Sequence, residues 1–183
     1  MNDTTQEVTV TWEERFVRTL FERIAADKGF AARMRRADNP STEYQSWEFL
    51  AAMGVDLEKE YLRLPFVTVA AAVAKSDAQR NGPTTLGQAI AACYETGKEA
   101  DQAKARLRRL LACDDLPEVC RILRGTFSLI DSKAGRALDY VRILRQLRSF
   151  SYDPQRIKAQ WAQEFYGRSA GGADEEKEAS GEA

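Results

Sequence analysis

Histidine does not occur anywhere in this chain of 183 residues. Its absence removes the usual general base, the commonest metal ligand and every Ser-His or Cys-His nucleophile pair. The three cysteines, Cys93, Cys113 and Cys120, form no C-x-x-C motif, so a zinc site is not predicted. The glycines form no phosphate-binding loop. We therefore expect a protein that is not an enzyme and that uses no metal or cofactor.

Long hydrophobic runs are also missing. The most apolar stretch, Leu64 to Ala74, is 11 residues long and contains Pro65 and Thr68, whereas a membrane span needs roughly 20 apolar residues. This stretch predicts a buried helix and no membrane contact. The first 30 residues show no basic start followed by an apolar run. Together with cysteines that are odd in number, this indicates reduced thiols and a cytoplasmic location.

The formal net charge of -1 hides a strong segregation of charge along the chain. Residues 1–14 carry four acids and no base, and residues 169–183 carry five acids and one lysine, whereas residues 15–168 contain 26 bases and 19 acids. Arginine supplies 19 of the 27 bases, which favours planar, bidentate recognition of phosphate. We expect residues 1–11 to be flexible, residues 169–183 to be a disordered acidic tail, and the body between them to be basic.

Helical patterns dominate the body, and no convincing alternating strand occurs. Thr11-x-x-Glu14 and Thr85-x-x-Gln88 are capping boxes, and Asp153-Pro154 is a typical helix start for residues 154–166. The tract 76–84 is polar and turn-rich. We therefore predict an all-α fold of two small helical bundles packed into one elongated body, with bundles at 12–80 and 81–168.

Two weaker signals concern the first bundle. Thr42-x-x-Gln45 predicts a short helix, and Asp56 can cap the next one. Tyr44 and Trp47 lie near each other on this short helix. Aromatic rings beside arginines can stack on nucleic-acid bases, but we expect these two and Phe49 to extend an apolar face into the core, as we expect of Trp161, Phe165 and Tyr166.

Six Arg-x-x-Arg spacings run through the chain, where random placement would give about two. They are Arg15/Arg18, Arg33/Arg36, Arg106/Arg109, Arg121/Arg124, Arg142/Arg145 and Arg145/Arg148. On a helix, residues three apart share a face, so each pair can present two guanidinium groups in one direction. This pattern indicates an extended anionic partner.

Two of these segments place their bases opposite an apolar stripe. On a helical wheel, Arg142, Arg145 and Arg148 lie opposite the apolar residues of 140–150, and Arg106 and Arg109 point outward with Arg108 on the flank. No acid occurs between Arg142 and Arg148. Such faces are often solvated and paired with nearby acids, but the shortage of local acids favours exposed, unpaired bases that contact nucleic acid.

Several short blocks resemble the CasB family, the small subunit of the type I-E CRISPR Cascade complex. The blocks, in family order, are Ala32-Arg33-Met34-Arg35-Arg36-Ala37, Thr85-Leu86-Gly87-Gln88-Ala89, Ala105-Arg106-Leu107-Arg108-Arg109-Leu110-Leu111, Leu138-Asp139-Tyr140 and Gln160-Trp161-Ala162-Gln163-Glu164-Phe165-Tyr166. Their order and spacing extend the resemblance over about residues 12–168.

The resemblance implies an all-helical subunit without enzymatic activity. It implies that the chain pairs with a second copy of itself beside the large subunit and the guide-coating backbone subunits. There it would hold target DNA, the displaced strand and guide RNA without reading sequence. The basic positions that correspond are Arg33, Arg35, Arg36, Arg106, Arg108, Arg109, Arg142 and Arg145. Arg148 is added to these candidate nucleic-acid-binding residues because of its Arg145/Arg148 spacing.

Two other functions fit a basic helical chain. One is a helical adaptor whose arginines meet an acidic protein surface. The other is a sequence-specific regulator with a helix in the major groove, although no helix carries the mixture of Asn, Gln and Arg expected for base edges.

Overall fold

The computed structural model describes residues 10–167, which form nine α-helices and no β-strand. These are α1 Trp12–Ala26, α2 Lys28–Met34, α3 Trp47–Ala52, α4 Glu60–Lys75, α5 Leu86–Ala92, α6 Asp101–Leu111, α7 Leu116–Lys133, α8 Tyr140–Phe150 and α9 Pro154–Tyr166, with short 3-10 helices at Glu43–Ser46 and Gly97–Glu99. The all-helical prediction is confirmed. The predicted acidic tail and most of the predicted flexible start lie outside the described residues.

Several helix starts follow the signals in the sequence. Thr11 Oγ1 accepts a hydrogen bond from the Glu14 backbone N–H at 3.3 Å, and the Glu14 carboxylate accepts from the Thr11 N–H at 3.0 Å. Asp153 caps α9 through the Arg156 N–H at 3.1 Å. These side chains satisfy backbone donors that have no partner inside the helix.

Two predicted starts differ from the structure. Thr42 makes no capping hydrogen bond, and the segment after it begins as a 3-10 helix before α3. The Asp56 carboxylate accepts from the Glu58 N–H at 3.0 Å, so it holds a turn, and α4 begins only at Glu60. The Thr42 hydroxyl instead donates to the Arg36 carbonyl at 2.9 Å, and in both cases the side chain's other hydrogen bond competes with helix capping.

The central element of the core is α4, as its apolar sequence predicts. Every residue from Leu64 to Ala74 is buried, and α4 packs against α1, α2, α7 and α8. Near its start, the Phe66 ring lies 4.8 Å from the Trp12 ring and 4.9 Å from the Phe16 ring. Aromatic pairs at these distances add to the stabilisation that comes from burial.

Helices α5 and α9 form a second close contact. A side chain at Gly87 would collide with the backbone of α9 at Glu164 and Phe165, so a glycine is required for this approach. Trp161 is buried, and its Nε1 donates to Gln146 Oε1 at 2.9 Å. The expectation that Phe49, Trp161 and Phe165 belong to the core is confirmed. The same expectation for Tyr166 is wrong, because its side chain at the end of α9 is 49% exposed.

The polar tract around Asn81 is fixed to the segment before α8. The Gly82 N–H donates to the Leu138 carbonyl at 2.9 Å, and the Asp139 N–H donates to the Thr84 carbonyl at 2.8 Å. One hydrophobic core includes residues from both sides of this tract, and the boundary between two bundles there stays a prediction. Within residues 10–167, no helix is long and apolar enough to cross a membrane.

Candidate nucleic-acid interface

The three arginines of α8 each hold a carboxylate. Arg142 Nε lies 2.6 Å from Glu164, one terminal nitrogen of Arg145 lies 2.8 Å from Glu14, and Arg148 forms an ion pair with Glu13. The expectation that this arginine face is unpaired is therefore wrong. Its acids come from α9 and from the first turn of α1, far away in the sequence, so a search for acids along the α8 segment could not find them.

These pairs join α8 to its neighbours. The Glu164 carboxylate is almost fully enclosed and also accepts from Gln146 Nε2 at 2.8 Å and from the Gly87 N–H at 3.3 Å. Arg142 therefore neutralises a carboxylate that α5, α8 and α9 share. A buried acid with several donors needs such a partner. The main role of Arg142 is accordingly to stabilise the fold.

Arg145 and Arg148 secure the start of α1 in the same way. The backbone N–H of Thr11 and then the Arg145 guanidinium lower the pKa of the Glu14 carboxyl below its usual range. The Arg148 guanidinium lies 4.6 Å from the centre of the Trp12 ring, and burial lowers its pKa. A cation over an aromatic face in a partly enclosed site stabilises the contact between α1 and α8.

The predicted nucleic-acid-binding arginines form three blocks along the chain, at 33–36, 106–109 and 142–148. The first predicted block lies at the end of α2, beside the end of α4. Arg33 lies 5.9 Å from the Phe30 ring centre, and Arg35 Nε donates to the Ala74 carbonyl at 2.9 Å, which satisfies one of the last carbonyls of α4. Arg36 is exposed, and no carboxylate in residues 10–167 forms an ion pair with it. Arg36 is therefore open to an anion.

The second predicted block, on α6, also contains both exposed and partly enclosed arginines. Arg108 and Arg109 are exposed, and neither has an ion-pair partner among the described residues. Arg106 is half-buried, and its Nε is enclosed without a hydrogen-bond partner. The prediction that Arg106 points away from the body is wrong because α6 is covered by α5, α7 and α9, so its buried face is wider than the leucine stripe indicates.

The three blocks have different neighbours. The first lies on α2, which packs on α1 and α4; the second lies on α6, which packs on α5, α7 and α9; the third lies on α8, which packs on α1, α4 and α9. The described contacts therefore bring the α8 arginines together with acids.

A groove between α3, α4 and α7 was missed by the sequence reasoning. It has a volume of about 550 Å³, and we call it the aromatic groove. Its walls are formed by Pro40, Glu43, Tyr44, Trp47, Glu60, Arg63, Leu64, Pro117, Arg121 and Arg124. Tyr44 is 60% exposed and Trp47 is 40% exposed, so the expectation that both extend into the core is wrong. The Arg121/Arg124 spacing was the available signal for this site.

The charged residues of the aromatic groove differ in whether an ion pair holds them. Arg63 forms an ion pair with Glu43, and Trp47 Nε1 donates to the same carboxylate at 3.3 Å. Arg121 is 67% exposed and lies 3.4 Å from Glu118, and such an exposed pair is weak. The Nε of Arg124 is enclosed without a partner. Since Glu43 is held by Arg63, the two arginines of α7 remain available to an anion.

A second groove of about 490 Å³ shares Arg124 with the first. It lies between the end of α4, α7 and the segment before α8, and Lys75 and Arg136 also line it. Three aspartates are present as well, Asp38, Asp77 and Asp131. This mixture of charges gives the second groove no clear preference for phosphate.

The cysteines offer no nucleophile. All three are free and buried, and burial raises the pKa of Cys120 to about 12. Burial also raises the pKa values of the other two thiols. Because the thiolate is the reactive form, these side chains serve as small core residues.

This chain is similar to proteins of known family and known structure. Residues 31–166 match the family described as CRISPR-associated protein Cse2. No curated protein sequence matches this chain. The crystal structure of CasB from M. ruber is 25% identical, with a TM-score of 0.71, over 86% of this chain and 93% of that chain.

Two further solved structures share the fold. A chain of a CRISPR RNA-guided surveillance complex is 21% identical, with a TM-score of 0.68, over 84% of this chain and 91% of that chain. CasB from Thermobifida fusca is 18% identical, with a TM-score of 0.63, over 86% of this chain and 99% of that chain. The helical arrangement described above is therefore shared along nearly the whole length of these proteins.

Proposed function

The chain belongs to the CRISPR-associated Cse2 family, and we propose on this basis that it is a non-catalytic small subunit of an RNA-guided CRISPR surveillance complex, the Cascade complex. In this role it binds nucleic-acid backbones without sequence specificity and stabilises the opened target DNA. Its partners are the target and displaced strands, the guide RNA, the large and backbone subunits, and a second copy of itself. The likeness to a chain of a CRISPR RNA-guided surveillance complex supports this proposal.

The observation that carries the nucleic-acid part is the group of exposed arginines that no described carboxylate pairs. Arg36, Arg108 and Arg109 belong to it. An arginine without a neighbouring acid keeps its full attraction for phosphate, whereas one held by an acid must first give up that pair. The proposal therefore assigns backbone contacts to these three residues first. Arg142, Arg145 and Arg148 remain partly exposed, and their contribution to binding is secondary.

Modest contacts are sufficient for the proposed role. Replacing a DNA duplex by a guide–target duplex of similar stability is nearly balanced in free energy. Contacts to the backbones of the separated strands therefore decide how long the opened state lasts. Sequence recognition is left to guide pairing, which fits a surface of arginines without a base-reading helix.

The test measures binding of single-stranded DNA to the full-length protein by fluorescence anisotropy over a series of salt concentrations. Two strands of unrelated sequence should bind alike. If Arg36, Arg108 and Arg109 each meet one phosphate, their joint replacement by alanine should make the salt slope shallower by about 2, from roughly 0.7 per contact. Arg156→Ala is the control, because Arg156 is also exposed but lies on α9, outside the residues to which backbone contacts are assigned.

A binding constant independent of salt would reject the proposal. The adaptor alternative predicts that the protein binds an acidic protein partner and no free strand. A marked preference for one DNA sequence over its scrambled form would instead indicate a sequence-specific regulator.

A further inference from the structure

We infer that the aromatic groove is a base-stacking site for the displaced single strand of DNA. In this site Tyr44 and Trp47 carry unpaired bases, and Arg121 and Arg124 contact the adjoining phosphates. The inference rests on the proposed function, because it specifies which strand and which chemical groups one part of the surface receives.

Both rings are exposed in the groove, as base stacking requires. Tyr44 and Trp47 are one helical turn apart, on the 3-10 helix and the start of α3, and both line the groove. The large aromatic residues Phe16, Phe66, Phe150 and Trp161 are by contrast fully buried. Exposed rings forgo the free energy of burial, which a bound base would return. Stacking accepts any base, since every base has a flat π-face.

The groove also offers a site for phosphate beside the rings. Arg121 and Arg124 are three residues apart on α7, and both line the same groove as the rings. Arg124 has no ion-pair partner among residues 10–167, so its guanidinium can pair with a phosphate that enters the groove. The volume of about 550 Å³ falls within the range of about 300–1,000 Å³ that is typical of small-molecule sites, so a nucleotide fits.

Whether the bases of a strand are paired decides which strand the aromatic groove can bind. In an opened target, the guide RNA is paired with the target strand, so the faces and edges of their bases are occupied in the duplex. Only the displaced strand has unpaired bases. A site that combines aromatic rings with arginines therefore suits that strand better than it suits the guide–target duplex.

The experiment compares two ligands of the full-length protein, oligothymidylate and an abasic oligonucleotide with the same number of phosphates. The unmodified protein should bind oligothymidylate about five- to a hundredfold more tightly for each stacked base. The double variant Tyr44→Ala/Trp47→Ala should lose this preference and keep its affinity for the abasic strand. Tyr152→Ala is the matched control, since Tyr152 is 71% exposed and does not line the groove.

Two further variants separate stacking from charge. Trp47→Phe keeps a flat ring and should retain most of the preference for oligothymidylate. Arg121→Ala should weaken the binding of both oligonucleotides and reduce the salt slope by about 0.7. Circular dichroism and a urea titration of each variant establish that it folds.

Each remaining outcome contradicts one part of the reasoning. Salt-dependent binding that the double aromatic variant leaves unchanged overturns the stacking site while the proposed function stands. The absence of salt-dependent binding in the unmodified protein overturns both. Tighter binding of oligouridylate than of oligothymidylate overturns the choice of DNA. A double variant that binds both oligonucleotides normally but fails to join the assembled complex shows that the groove receives a protein.

Discussion

Replacing Arg148 by alanine will destabilise the protein much more than replacing Arg109. Arg148 pairs with Glu13, and its guanidinium lies 4.6 Å from the Trp12 ring and 5.7 Å from the Phe66 ring. Arg109 is exposed, and no acid among residues 10–167 pairs with it. The two substitutions remove the same type of side chain, once from a partly enclosed ion pair and once from an exposed position without an ion-pair partner.

The expected loss follows from the two contacts of Arg148. Its side chain is 32% exposed and that of Glu13 is 13% exposed, so solvent screens the pair only in part. A hydrogen bond to a charged group contributes about 1.5–3 kcal/mol when it is protected, and the cation over the ring adds about 1 kcal/mol. Allowing for the screening, we expect about 2 kcal/mol, which lowers Tm by about 4–8 °C in a chain of this size. For Arg109→Ala the change should stay within about 0.5 kcal/mol.

Urea unfolding followed by circular dichroism measures both variants. Arg148→Lys should fall between them, because lysine keeps the charge and loses the flat guanidinium that lies over Trp12. Combined with Glu13→Gln, Arg148→Ala should show a non-additive loss, since the two residues interact directly. Equal unfolding free energies for Arg148→Ala and Arg109→Ala would refute the distinction between structural and free arginines.

Two other predictions concern packing and the thiols. Gly87→Ala should destabilise the fold by about 1–3 kcal/mol, because a methyl group there meets the backbone at Phe165. Gly125→Ala should instead stabilise the fold by up to about 1 kcal/mol, because the added methyl group on α7 meets nothing within 4 Å. Urea midpoints that move in the same direction for the two variants would contradict this. Cys120, whose pKa is raised to about 12, should not react with a thiol reagent at pH 8 until urea unfolds the chain, and fast labelling of the native protein would show that the thiol is accessible.

Features that depend on nearby residues could be predicted from the sequence. Helix α9 begins at Pro154 and ends at Tyr166, as predicted, and the capping box of Thr11 and Glu14 is present. The apolar run in α4 is buried. In each case the deciding contacts lie within a few positions of each other or follow from hydrophobicity alone.

The surroundings of exposed side chains could not be predicted in the same way. The partner of Arg148 is 135 residues away, and the partner of Arg142 is 22 residues away. Tyr44 and Trp47 share a helical face, but periodicity does not show whether another helix covers that face. The leucine stripe of α6 likewise gave no indication that three helices surround it and enclose part of Arg106.

The same contacts change the meaning of the charge segregation in the sequence. Glu13 and Glu14 belong to the acidic start of the chain, yet they lie in the first turn of α1, where the helix dipole favours them, and they hold Arg148 and Arg145. The acidic start therefore neutralises part of the basic body, and the positive charge available to a strand is concentrated away from α8. A substitution in α8 that weakens strand binding would consequently act through the fold first. Binding by such a variant should recover when the temperature is lowered well below its Tm, whereas binding by a variant of Arg108 should stay weak at every temperature.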